Sequence, residues 1–135
     1  MASASEAPNA ASSEAAEIFH QHGKLIGCHL DANNRAIADL VARTDLDYIE
    51  AFTPAPDTDM TLAEAFEAWP GKAIWINFPS SVHVQSAENI AETTRALLDA
   101  AKGHPKFLIG ITEDVPEDRW QESFLTIMET IEGAG

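Results

Sequence analysis

Four short runs of apolar residues punctuate the chain: Leu25-Ile26-Gly27-Cys28-His29-Leu30, Tyr48-Ile49-Glu50-Ala51-Phe52, Ala73-Ile74-Trp75-Ile76-Asn77-Phe78 and Phe107-Leu108-Ile109-Gly110-Ile111. Each is strand-length and nearly continuous in apolarity, the pattern of strands covered on both faces. Helical periodicity lies between them. Ala15, Ile18, Phe19 and His22 follow i, i+3, i+4, i+7, and Gly23 is placed to stop that helix. Ile37, Leu40 and Val41 form a short second stripe, and Thr61 with Glu64 predicts a capping box ahead of Leu62, Phe66 and Trp69. Ile90, Thr94, Leu97, Leu98 and Ala101 make a fourth stripe. Pro116 then predicts the start of a last helix through Trp120, Phe124, Ile127 and Ile131.

The order is one helix followed by four strand–helix units, which implies a parallel sheet with right-handed crossovers. The expected fold class is α/β: four parallel βα units forming the C-terminal half of a TIM (β/α)8 barrel over residues 14–135. A whole barrel needs about 250 residues, so 135 residues read as half of one. Residues 1–13, rich in Ala and Ser, are expected to be a flexible tail. They carry neither a basic segment nor an apolar one, so they do not read as a secretory signal.

Composition narrows the partners. A net charge of −14 argues against nucleic acid and against an anionic membrane surface, because phosphate binding needs clustered Lys and Arg. A single cysteine, Cys28, excludes an intrachain disulfide and suits a reducing cytoplasm. No apolar run approaches the roughly 18 residues of a membrane span.

Polar residues gather at the C-terminal ends of the strands, where parallel α/β folds bind their ligands. His29 and Asp31 end the first, Glu50 and Thr53 the second, Asn77 the third, and Thr112, Glu113 and Asp114 follow the fourth. His29 and Asp31 flank Leu30, so an extended strand sends both side chains to one face. An imidazole and a carboxylate there either share a divalent metal or work as a coupled acid and base. Glu50 and Glu113 are placed to complete either arrangement. The catalytic candidates are therefore His29, Asp31 and Glu50, and the metal candidates His29, Asp31 and Glu113. Asn33, Asn77, His83 and Thr112 are candidate contacts to a small-molecule substrate. His20, His22 and His104 read as structural, Trp69, Trp75 and Trp120 as packing residues, and Cys28 as a buried thiol facing away from His29. Thr53, Asp57 and Asp114 read as loop-entry residues that cap the next helix. No glycine-rich phosphate loop, nucleophile elbow or paired-cysteine motif is present.

The run Gly27-Cys28-His29-Leu30-Asp31-Ala32-Asn33-Asn34 resembles the fifth-strand motif of the uroporphyrinogen decarboxylase family and its methyltransferase relatives, often a Gly-x-His-x-Cys-Gly-Asn run. Gly110-Ile111-Thr112-Glu113-Asp114-Val115-Pro116-Glu117 looks like that family's last strand and the Pro-rich approach to its final helix. Glu50-Ala51-Phe52-Thr53-Pro54 and Asn77-Phe78-Pro79-Ser80-Ser81 fall where its sixth and seventh strands end. The resemblance covers about residues 14–134 and implies a (β/α)8 barrel. In the methyltransferase branch it implies a zinc held by His and Cys of the fifth strand and a later Cys, activating a thiol for methyl transfer from a corrinoid carrier. Here His29 matches the first ligand, Asp31 stands in place of the cysteine, and Glu113 is the nearest third donor. A His/Asp/Glu set is harder in character and suits zinc or another divalent ion. In the decarboxylase branch a His usually precedes the last-strand Gly, where this chain has Ile109. The residues that grip a tetrapyrrole belong to the first half of the barrel. The resemblance thus favours a metal-dependent, methyltransferase-like enzyme half using a one-carbon donor or corrinoid protein. The other reading is a non-catalytic half barrel or assembly subunit.

A half barrel exposes two sheet edges and a large apolar face, both of which drive association. The chain is therefore expected to pair with itself or with an N-terminal half barrel.

Overall fold

The structure, a computed structural model, describes residues 7–135, with side chains from Ser13 onward. Its order is α1 (Ala7–Gln21), β1 (Gly27–His29), a 3-10 turn (Arg35–Ile37), α2 (Ala38–Ala42), β2 (Tyr48–Phe52) and α3 (Leu62–Ala68). Then follow β3 (Ala73–Asn77), a second 3-10 turn (Ser80–Val82), α4 (Ala87–Ala100), β4 (Phe107–Gly110) and α5 (Trp120–Ala134). The strands form one sheet in the order β1-β2-β3-β4, every neighbouring pair parallel. The α/β class with four parallel strands alternating with helices is thus as expected. Of the segment expected as a flexible tail, residues 1–6 lie outside the described residues and Ala7–Ser13 are the first turns of α1.

One face of the sheet carries the core. Cys28, Ile49, Ile74, Ile76, Phe107 and Ile109 pack beneath Val41, Leu62, Phe66, Trp69, Ile90, Leu97 and Ile127 from α2, α3, α4 and α5. Burying each of the larger side chains removes it from water at a gain of about 1.5–3 kcal/mol. α3, only seven residues long, is too short to persist by propensity alone. It is held by a capping box between Thr61 and Glu64 and by burial of Leu62 and Phe66. Trp69, just past its end, meets Phe52 edge-on at 5.7 Å and donates its indole N–H to the Ala38 carbonyl at 3.0 Å.

Among the described residues the other face has no layer over it, which corrects the expectation of strands covered on both sides. Continuous apolarity here reflects a covered face and an open face that are both apolar. Register places His29, Glu50, Trp75 and Leu108 side by side across the four strands. Trp75 is 40% exposed and Leu108 57%. The indole of Trp75 lies over Gly110, where a Cβ would fall 2.4 Å from its Nε1. The Tyr48 ring covers Gly27 in the same way, at 2.3 Å.

Two local features break the regular pattern. The β2–β3 register slips between Glu50 and Phe52, and the residue between them, Ala51, has φ 58° although fully buried. That left-handed conformation costs an alanine of order 1 kcal/mol. It lets Glu50 reach the open face while Phe52 drops into the core. In α1 the expected stripe is helical yet unburied: Ala16 is the packed residue, and Ile18 and Phe19 are exposed.

Candidate functional site

β1 and β2 bring the candidate acid/base group together. Cα pairing sets His29 opposite Glu50, and the His29 Nδ1 lies 2.5 Å from the Glu50 carboxylate. Asp31, two residues further along the same face, brings its carboxylate to 3.3 Å from Nε2. Hydrogen bonding to Glu50 first, then to Asp31, raises the His29 pKa above its usual value. With carboxylates at both nitrogens, the favoured species is the imidazolium. The side chain is 56% exposed, so the group faces solvent at the carboxyl ends of the strands.

The metal set is not assembled in this arrangement. Glu113 is exposed in the bend after β4. Among the described residues no group of three His, Cys, Asp or Glu side chains is disposed to hold a metal ion. Both ring nitrogens of His29 are directed at carboxylates, so neither is free to join Glu113 on a metal ion.

The expected substrate contacts separate into different roles. Asn77 is buried, and its amide is consumed: Nδ2 donates to Thr53 Oγ1 at 3.1 Å and Oδ1 accepts from the Thr112 N–H at 2.9 Å. Thr53 Oγ1 in turn donates to the Ala51 carbonyl at 3.1 Å. This buried chain ties the ends of β2, β3 and β4 together and occupies the amide expected as a substrate contact. Thr112 keeps an exposed side chain beside it. Asn33 is exposed and accepts from the Asp59 N–H at 3.1 Å, joining the β1 loop to the β2 loop. Arg35 supports the same junction through the Asp59 carbonyl and an ion pair with Glu64 at 2.7 Å.

His83 does not overhang the site. It is 1% exposed, packed on Phe78 and Phe124, with Nδ1 2.6 Å from Ser123 Oγ of α5. Its Nε2 is buried without a hydrogen-bond partner, and burial lowers its pKa despite the opposing influence of Asp57. Asp57 caps the loop after β3, accepting from the Ser81 N–H at 3.1 Å and from the Ser81 hydroxyl. Ser123 was invisible as a partner because a lone serine within an apolar helical stripe carries no sign of what it faces.

His20 pairs with Asp47 at 2.8 Å, and His104 stacks on Phe66 at 3.9 Å. Cys28 packs against the core, away from His29, and burial raises its pKa. Trp69 is core, whereas Trp75 and Trp120 are partly exposed. At the opposite ends of the strands lies an open groove of about 1300 Å³, lined by Ala16, His20, Leu25, Asp47, Lys106 and Leu108 among others. It is remote from the His29 cluster. Among the described residues no helix is long and apolar enough to cross a membrane.

No protein-family model matches the chain, and a search of curated proteins finds no match either.

Proposed function

We propose that this chain is half of a (β/α)8 barrel of the uroporphyrinogen decarboxylase type and that its strand ends carry an acid/base site in which His29 holds and delivers the proton. The observation that carries this reading is the imidazole set between Glu50 and Asp31 at the carboxyl ends of β1 and β2. Glu50 fixes the ring through Nδ1 and stabilises its charge, as an orienting carboxylate does for any imidazole acid. The longer contact to Asp31 leaves Nε2 the more easily surrendered nitrogen. A substrate atom arriving there with a developing electron pair takes the Nε2 proton; the neutral ring keeps its Nδ1–H bond to Glu50 and no longer donates to Asp31.

The competing reading keeps the same residues for methyltransferase-like chemistry, with a divalent metal such as zinc on His29, Asp31 and Glu113 and a corrinoid protein or one-carbon donor. It requires His29 to turn off one carboxylate and Glu113 to move in. What favours it is that the His29 imidazole already has a carboxylate within 3.3 Å of each ring nitrogen on an exposed rim. A non-catalytic assembly subunit needs neither arrangement.

An NMR titration of the His29 ring separates these readings. The acid/base reading expects a pKa above the ordinary histidine value of about 6.5, lowered more by Glu50→Gln than by Asp31→Asn. A His29 that titrates at or below that value refutes it. Stoichiometric zinc uptake that is lost in His29→Ala and in Glu113→Gln establishes the metal reading instead.

A further inference from the structure

Part of the exposed apolar surface of the described chain lies where four more strands and their helices would lie. Trp75 and Leu108 stand on the open sheet face, Leu25 at its lower end, and Leu125 and Met128 on the outer side of α5. Among the described residues β1 and β4 each pair on one side only. We propose that a second copy of this chain covers these surfaces, closing an eight-stranded parallel barrel about a two-fold axis and completing the site. The proposal rests on the half-barrel reading above.

Three observations favour a copy of the same chain. The first is the pair of edges. Every strand runs in one direction, so a two-fold axis along the strands sets β1 of each copy beside β4 of the other, in parallel. Both seams then close at once and no edge is left open.

The second is charge at those seams. Lys24 stands just ahead of β1, after His20 in the last turn of α1 and His22 in the turn that follows it. α5 holds Glu122, Glu129 and Glu132 and no Lys or Arg, and its C-terminal end runs toward the same end of the sheet as Lys24. Among the described residues Lys24 and Glu132 enter no ion pair within the chain. Each seam of the two-fold assembly brings Lys24 of one copy toward Glu132 of the other, on the side of α5 that carries Leu125 and Met128 and faces away from α4. The net charge of −14 opposes self-association at long range. Salt screens that repulsion beyond about 8 Å under physiological conditions, so contacts at the seam decide.

The third is the site. His29 and Asp31 stand on an open rim with nothing facing them among the described residues. The second copy supplies the far wall of the mouth with its own His29, Asp31 and Glu50, and encloses Trp75 and Leu108 as barrel filling. The pocket thus becomes complete only in the pair.

Sedimentation across a concentration series, with circular dichroism to check folding, tests this on the full chain. The expected mass is twice 14.6 kDa. Lys24→Glu alone, or Glu132→Lys alone, places like charges at both seams and is expected to weaken the dimer by about tenfold or more. An equimolar mixture of the two variants pairs opposite charges at both seams and restores association. These exposed substitutions leave the core untouched. A dimer indifferent to all three conditions overturns the proposal. A folded monomer at concentrations on the order of 100 µM also overturns it. If that monomer binds an apolar-surface dye, the half barrel stands with another partner; if it binds none, the half-barrel reading falls too.

Discussion

Replacing Asn77 with alanine removes the side chain that links three strand ends, and the cost follows from what each partner loses. Thr112 is exposed, so its N–H regains a water and that bond costs little. Thr53 is buried, and its hydroxyl still donates to the Ala51 carbonyl, but its oxygen loses the one donor that reaches it. A buried group left unpaired costs about 1–3 kcal/mol. The vacated amide volume adds on the order of 1 kcal/mol, because the surrounding residues collapse only in part. The sum is about 2–4 kcal/mol. In urea, with a slope of about 2 kcal/mol per molar for a domain of this size, the unfolding midpoint falls by about 1–2 M at unchanged slope. Thr53→Val as the partner mutation completes a double-mutant cycle, with an expected coupling of about 1 kcal/mol. A midpoint shift below about 0.3 M with no coupling refutes the reasoning and frees the Asn77 amide to serve a ligand.

Two further outcomes can be measured with the same denaturation. His83 has a lowered pKa in the folded state because burial disfavours its charge. The unfolded chain therefore takes up a proton below about pH 6.5 that the folded chain refuses. Stability contributed by neutral His83 is full above that pH and is lost as pH falls toward the depressed value, and His83→Asn should flatten the urea midpoint's fall between about pH 6.5 and 5. An unchanged slope refutes this. Thr61→Ala removes the cap that accepts the Glu64 N–H at 3.1 Å and should cost about 1 kcal/mol; no loss in midpoint means α3 is held by its packing alone.

The order of elements was legible because each strand is a short apolar run and each helix repeats near every third or fourth residue. Thr61 and Glu64 could be read as a capping box because both partners lie within one turn. α5 starts at Trp120 rather than at Pro116, whose carbonyl accepts from the Arg119 and Trp120 N–H groups in the turn before it. Proline thus opens the preceding turn and not the helix itself. The pairing of His29 with Asp31 was readable from the two-residue spacing, since both side chains leave one face of a strand. Glu50 was named as a neighbour, but its 2.5 Å approach depends on inter-strand register, which no local pattern encodes. The partners of His83 and Asn77 escaped the sequence for one reason. A polar residue at a strand end looks the same in sequence whether it turns to the mouth or into the helix layer. Only long-range partners decide, here Ser123 and Thr53. The stripe of α1 was visible, but nothing in its spacing says that Ala16 and not Ile18 meets the rest of the chain.

The slipped register at Ala51 has a consequence for how β2 tolerates changes in length. In an ordinary strand, deleting one residue reverses every side chain beyond the cut and sends apolar groups to the wrong face. Here Ala51 is itself the supernumerary position, with Glu50 opposite Trp75 and Phe52 opposite Ile76. Removing it would return the strand to simple alternation with Glu50 and Phe52 still on their present faces. The shortened strand would draw Thr53 one step back toward the sheet and away from the Asn77 amide. The rim of the site, not the core, would register the loss.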